Sequence, residues 1–282
     1  MALSDQLRLV ACGEAELADA QALSDAAGWN QTADDWQLFM QHGKTIGYRH
    51  PAGRLVATAA ALPYGNAKGW VAMVLVAEAW RHQGLATRLL QIGIDHLRQR
   101  GAIPYLDATP AGAPTYRKAG FQAGFALSRW EGTTSPAGQA LPAPMRAAEP
   151  DDLAWIIALD AAANSVTRDF LLQDFLARST SQAWVMRDQS GFVIRRQGRR
   201  AAQIGPLVAR DEDTATALLG AALDLPQGPV FLDLPDRWDG LAARLRGRGF
   251  AVQRPFVRMA LGERPMQAAN DQLFVLAGPE FG

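Results

Sequence analysis

The 282-residue sequence predicts an α/β protein built as two similar halves. Short apolar runs alternate with amphipathic stretches, so the hydrophobic period switches repeatedly between that of a strand and that of a helix. Tyr105-Leu106-Asp107, a helix, and Ala119-Gly120-Phe121 are echoed by Phe231-Leu232-Asp233, a helix, and Arg248-Gly249-Phe250, which indicates an internal duplication. Between the halves, residues 133–144 carry Pro136, Gly138, Pro142 and Pro144 with almost no charge, and read as a linker or long surface connection.

In the first half, residues 7–11 read as a strand and 14–27 as a helix stopped by Gly28. A second helix over 34–41 has Thr32 as its N-cap. Residues 45–49 and 55–62 form a strand pair turned at Pro51-Ala52-Gly53, and 70–76 a third central strand. The amphipathic stretch Leu85–Arg98 is a helix. It is followed by a strand at 103–107, a short helix at 115–119 and a last strand at 121–130. The second half repeats this order: helices at 151–162 and 169–177, then strands at 183–186, 193–196 and 203–208. A helix at 214–223, a strand at 230–234, a helix at 241–246 and a strand at 252–260 complete it.

With 28 basic and 28 acidic residues the formal net charge is zero, which disfavours a nucleic-acid partner. Cys12 is the single cysteine, so no intrachain disulfide forms and a reducing cytoplasm is the expected location. No apolar run approaches the ~20 residues of a membrane span, and the start Met-Ala-Leu-Ser-Asp-Gln lacks the features of a signal peptide. His42, His50, His82 and His96 show no metal-ligand spacing, so no metal is expected. Nothing in the pattern specifies an oligomeric state.

The most informative segment is Arg81-His82-Gln83-Gly84-Leu85-Ala86. It follows the apolar Val74-Leu75-Val76 and opens the long helix. Unpaired amide N–H groups and the positive end of a helix dipole therefore meet where an anion, most naturally a diphosphate, can sit. The corresponding place in the second half reads Ala209-Arg210-Asp211-Glu212-Asp213-Thr214. Three carboxylates there repel a diphosphate, so one such site per chain is expected.

With that loop, its strand, and Tyr116-Arg117-Lys118-Ala119-Gly120-Phe121 in order, residues 5–132 resemble the GCN5-related N-acetyltransferase (GNAT) superfamily. Leu106-Asp107-Ala108-Thr109-Pro110-Ala111-Gly112, the second half, and the ending Ala277-Gly278-Pro279-Glu280-Phe281-Gly282 look more narrowly like its YitH-type subgroup. The resemblance implies tandem GNAT-like domains, 1–132 and 145–282 about a linker at 133–144. Each would be a mostly antiparallel mixed sheet with helices, the first with a splayed pair of parallel strands and the second degenerate. It implies acetyl-CoA as the cofactor. Val74, Leu75 and Val76 would line its pantetheine arm. Arg81, His82, Gln83, Gly84, Leu85, Ala86 and Thr87 would hold its pyrophosphate, with charge from Arg81 or Arg88. Thr109 would touch it, and Tyr116 would protonate the departing thiolate.

Acetyl transfer to an amine needs a proton acceptor, a polarised carbonyl and a proton donor. A strand N–H near Val74 serves the carbonyl and Tyr116 the thiolate, although a tyrosine in a short amphipathic helix also packs on a sheet. Some members of the superfamily carry a carboxylate where this chain has Trp70 and Ala72. Asp107 is then the candidate base, with Glu78 second and a water chain as the alternative; a capping role for Asp107 stays open. Trp29, between the first two helices, stands where acceptors enter this fold, and a packing role is equally open. The cluster Arg195-Arg196-Gln197-Gly198-Arg199-Arg200 reads as a hairpin with a charged, solvated turn, with attraction of an acidic acceptor as the alternative. The reading is an acetyl-CoA-dependent N-acetyltransferase acting on a small-molecule or amino-acid-like amine between the two domains. Its rivals are a non-catalytic acyl-CoA-binding sensor and a protein-lysine acetyltransferase.

Overall fold

The computed structural model describes residues 7–65, 67–134, 144–224, 228–262 and 270–282. Most of the expected linker, residues 135–143, lies outside them. In chain order the first half contains β1 (Arg8–Ala11), α1 (Leu17–Ala26), α2 (Ala33–His42), β2 (Lys44–Arg49), β3 (Leu55–Tyr64), β4 (Lys68–Val76), α3 (Leu85–Arg98), β5 (Ile103–Ala108), α4 (Ala113–Lys118) and β6 (Phe121–Thr134). The second contains β7 (Met145–Ala147), α5 (Leu153–Asn164), α6 (Asp169–Ala177), β8 (Gln182–Met186), β9 (Gly191–Arg196), β10 (Ala202–Ala209), α7 (Glu212–Leu223), β11 (Gly228–Pro235), α8 (Asp239–Gly247), β12 (Ala251–Leu261) and β13 (Leu273–Val275).

Local chemistry accounts for the helix ends. Thr32 caps α2, its hydroxyl accepting from the Asp35 N–H while the Asp35 carboxylate accepts from the Thr32 N–H. Helix α4 starts two residues earlier than expected, because Pro114 is tolerated in a first turn, where its missing N–H has no partner to lose. In α3, Leu85, Leu89, Leu90, Ile94 and Leu97 form one buried stripe against the sheet.

Among the described residues 13 strands join one sheet, in the order β1-β2-β3-β4-β5-β12-β6-β11-β10-β9-β8-β7, with β13 on β10. The two sequence halves are not two separate sheets. Strand β12, from the second half, pairs with β5, while β6, from the first half, pairs with β11. The strand β6 also runs on to Thr134, past the boundary expected at 132. Each half thus contributes a long strand beside the other's core.

The last segment, 270–282, was not expected to be structured, and it is the tie between the halves. Phe281 is fully buried, stacked on Phe39 of α2 at 4.9 Å and edge-on to Phe175 of α6 at 5.4 Å. Tyr64 donates to the Phe281 carbonyl at 2.7 Å, and the Trp70 indole to that of Pro279 at 2.9 Å. No helix among the described residues is long and apolar enough to cross a membrane.

Candidate active site

Strands β4 and β5 run parallel but pair only through Lys68, Gly69 and Trp70 against Ile103, Pro104 and Tyr105. Beyond Trp70 they part. The register of β4 against β3 slips between Thr58 and Ala60, and Met73 stands at φ +54°, outside strand geometry. Thr58 Oγ1 donates to the Met73 carbonyl at 3.0 Å and holds that irregularity. A cavity of about 190 Å³ occupies the fork, with Val71 to Val74 on one wall and Leu106 and Asp107 on the other. Val74 therefore lines the cavity. Leu75 and Val76 are paired with β3 and carry the strand towards the loop, off the cavity wall.

That loop has the electrostatics of an anion site. Gly84 is the N-cap of α3 at φ +77°, a region glycine enters without penalty, and it offers no side-chain cap. His82 is also left-handed, at φ +63°. Among the described residues, none of the amides of His82, Gln83, Gly84, Leu85, Ala86 and Thr87 has a hydrogen-bond partner. The first turn of α3 carries no acid. Arg81 and His82 are exposed, and the Arg81 guanidinium reaches back to the Val76 carbonyl at 3.2 Å. Leu85 is buried in the core, so only its amide is free for a ligand.

Tyr116 reaches the cavity from α4 and meets Phe121 edge-on at 6.1 Å. Burial pushes its hydroxyl up to about 12, so it is protonated at neutral pH. Thr109 is on the same wall, its Oγ1 accepting from the Gly112 N–H at 3.2 Å. Trp29 lines the cavity too, with Gln31 beside it. Glu78 is exposed and off the cavity wall.

Asp107 does not present a free carboxylate. Its two oxygens accept from the Arg258 guanidinium at 2.9 and 2.8 Å, and its side chain is fully buried. The duplication gives the reason. On β11, Asp233 is held in the same way by Arg129 of β6, at 2.9 and 2.8 Å. Each of these strands thus carries an aspartate clamped by an arginine of the exchanged neighbour. A pair present in both halves accompanies the strand exchange, and it engages both oxygens of the carboxylate expected as base.

The other acidic residue on the cavity wall is Glu280, in the final segment. Burial raises its pKa above the usual carboxylate range. Arg129 opposes that shift, Asp35 adds to it, and Arg196 and a hydrogen bond from Gln31 also oppose it. The sequence signal for Glu280 was only the resemblance of the ending to the YitH type. An isolated Pro-Glu-Phe carries no periodicity that would place it on the same cavity wall as Tyr116, 164 residues away in sequence.

Comparison with known proteins agrees with this geometry. A model of the acetyltransferase (GNAT) family matches residues 14–121, and one of an acetyltransferase (GNAT) domain matches residues 156–275. The chain belongs to the GNAT acetyltransferases, with two such domains in tandem. An uncharacterized N-acetyltransferase of Bacillus subtilis, YitH, is 25% identical over 281 residues, covering 97% of this chain and 98% of its own. Among solved structures, a candidate acetyltransferase from Pyrococcus horikoshii superposes with a TM-score of 0.83 at 17% identity, covering 98% of this chain and 96% of its own. A tandem GNAT protein from the clavulanic acid biosynthesis pathway has a TM-score of 0.66 at 16% identity, covering 92% and 100%. These two likenesses are of fold.

The second GNAT unit has the same fork, but its own chain fills it. Strands β10 and β11 pair in parallel only at Ala202, Gln203 and Ile204 against Val230, Phe231 and Leu232. Past Ile204, β13 enters, Leu207 facing Val275 and Val208 facing Leu273, and all of Leu273, Phe274 and Val275 are buried. Gly205 permits the approach that follows, since a Cβ there would stand 1.9 Å from the Leu276 carbonyl oxygen. Helix α7 begins with Asp211 as N-cap, its carboxylate accepting from the Thr214 N–H at 2.9 Å, and Glu212 and Asp213 follow. By the sequence echo, the place of Tyr116 is taken by Leu245, fully buried, and that of Thr109 by Pro235.

Proposed function

We propose that the chain is an acetyl-CoA-dependent N-acetyltransferase with one working site, in the fork of its first GNAT unit. Its acceptor would be a small amine held between first-half residues and the final segment. One observation carries this reading: a single cavity is lined by the fork strand Val71–Val74, by Tyr116 and by Glu280, and the chain runs on from that strand to a helix start whose amides are unpaired. The residues fit the diphosphate of CoA, because that helix start offers N–H groups and no competing carboxylate. Bound acetyl-CoA supplies the acetyl group as an activated thioester.

Glu280 takes the proton that the acceptor's ammonium must lose before nitrogen can attack. The amide N–H groups along β4 beside Met73 stabilise charge on the carbonyl oxygen. Tyr116 meets the departing thiolate. A thiol of ordinary pKa near 8.5 is a stronger acid than a phenol at about 12 by about 3.5 units, roughly 5 kcal/mol uphill for full proton transfer. Tyr116 therefore acts first as a hydrogen-bond donor to the sulfur, and its proton passes over as the carbon–sulfur bond breaks. The non-catalytic alternative rested on the missing acid of the fourth strand, and Glu280 supplies a carboxylate from another element.

Isothermal titration with acetyl-CoA, followed by a thiol-release assay over an amine panel, tests this. The expected result is one acetyl-CoA per chain and CoA release with at least one amine. Two acetyl-CoA per chain would sink the single-site model, and tight binding without turnover on any amine would sink the enzyme. The pH profile is a second readout. Glu280 must be ionised to act, so kcat/KM should rise with pH through its raised pKa. Arg129 from β6, Arg196 from β9, Asp35 from α2 and Gln31 set that position. Glu280→Gln should remove this acid limb along with most of the rate.

A further inference from the structure

Arg254, on β12, lines the same cavity and differs from the other deeply set arginines around it. Arg129 is paired with Asp233, Arg258 with Asp107, Arg168 with Asp160, and Arg178 and Arg196 with Asp35. Arg254 is partly buried, and among the described residues it has no carboxylate within ion-pair distance and no side-chain hydrogen bond. Its guanidinium lies over the Phe256 ring at 5.4 Å, which keeps it against the wall. Desolvation works against its charge, Arg129 and Arg200 add repulsion, and Asp233 and Glu280 favour it.

With the two arginine–aspartate pairs cancelled, the wall is left with two unneutralised groups, Glu280 and Arg254. An ordinary amine answers only the first. It would leave a partly buried guanidinium without a counter-ion, at a cost that grows as a ligand closes the cavity. A carboxylate matches the planar fork of an arginine in a way a neutral tail cannot. At about 190 Å³ the cavity also falls short of the ≈ 300 Å³ at which pockets for drug-sized ligands begin. We infer that the acceptor is a small amino acid, its amine at Glu280 and its carboxylate on Arg254, which makes Arg254 the residue that determines acceptor class. This rests on the N-acetyltransferase reading above and narrows it.

The test is a set of matched acceptors: L-amino acids, each beside its carboxamide and its decarboxylated amine, assayed by CoA release with wild type, R254M and R254K. The wild type is expected to prefer the carboxylate-bearing member of a productive set by about 10- to 100-fold in kcat/KM, expressed mainly in KM. R254M should reduce that preference to within about threefold, and R254K should restore part of it. Thermal melting and the acetyl-CoA affinity of each variant report whether the fold is intact. Equal use of neutral and carboxylate-bearing amines by the wild type would overturn the inference while leaving the acetyltransferase standing. So would an R254M defect of the same size on every member of a set, which is what a merely structural arginine would give. Acetyl-CoA binding with no turnover on any acceptor would instead remove the acetyltransferase reading, and this inference with it.

Discussion

Helices α3 and α7 start at equivalent places in the two halves and show opposite ways of ending a helix. The first turn of α3 has no acid, a left-handed glycine as N-cap and a run of unpaired amides. The first turn of α7 is closed by its own Asp211, with Glu212 and Asp213 behind it. The forks beside them differ in the same sense, one an open cavity and the other filled by β13. A ligand site in this fold is thus a place where the chain withholds its own groups. In the second half Asp211 caps the Thr214 N–H and β13 occupies the fork, so the chain itself takes up groups that the first half leaves open. The filling strand also leads into the segment that carries Glu280 to the cavity of the first half, so one stretch of chain lines both forks.

The contrast at the proton donor should produce the largest effect. Tyr116 faces the cavity, while its counterpart Leu245 is a core residue. Tyr116→Phe should lower kcat by about 10²- to 10⁴-fold, the range for removal of a general acid, with acetyl-CoA affinity nearly unchanged. A variant that keeps its full rate from neutral to high pH would show that the thiolate leaves unaided.

Next come the two clamped aspartates. Asp107→Asn and Asp233→Asn each leave a buried arginine without its counter-ion, at a cost of about 3–5 kcal/mol. Urea unfolding should show a loss of that order in each, the Asp233 variant also disturbing the bond that its carboxylate accepts from Gln203 Nε2 at 2.9 Å. A D107N protein of wild-type stability that had lost turnover would return Asp107 to the catalytic role the sequence suggested.

These pairs mark where the sequence stopped being legible. The bounds of α3 and α6 and the Thr32 cap follow from local pattern, as does the anion loop, since each depends on residues within a turn or two. The strand exchange does not. Strands β6 and β12 occupy equivalent places in a duplicated chain, and either could lie beside β5 without altering one local preference. Asp107 therefore looked unpartnered, its arginine lying 151 residues away. Strand β13, at three residues, is too short to show alternation, and Ala277-Gly278-Pro279 reads as a loop although it crosses the core. Glu280 was hidden for the same reason.

A smaller effect should follow from making α3 resemble α7. Gly84→Asp places a carboxylate at the N-cap, where it competes for the free amides and repels a diphosphate. The dissociation constant for acetyl-CoA should rise by about 10- to 100-fold, or roughly 1.4–2.7 kcal/mol. The reverse exchange, Asp211→Gly, should not create a second site, because β13 still fills the fork. Calorimetric stoichiometry should remain one, and a value of two would show that charge alone silences the second half.

The smallest effect separates capping by the chain from capping by a ligand. Asp211→Ala removes the side-chain acceptor for the Thr214 N–H and should cost about 1 kcal/mol, or about 2–4 °C in melting temperature if unfolding is two-state. At α3 no side chain does this work, so acetyl-CoA bound there serves as the missing cap and should raise the melting temperature by mass action. The two contributions lie in different halves of the duplicated chain and share no group. The melting temperature of D211A should therefore sit below that of wild type by the same few degrees with and without acetyl-CoA. A ligand-induced shift that shrinks in D211A would mean that acetyl-CoA also draws on the α7 start, and that the second half takes part in binding the cofactor.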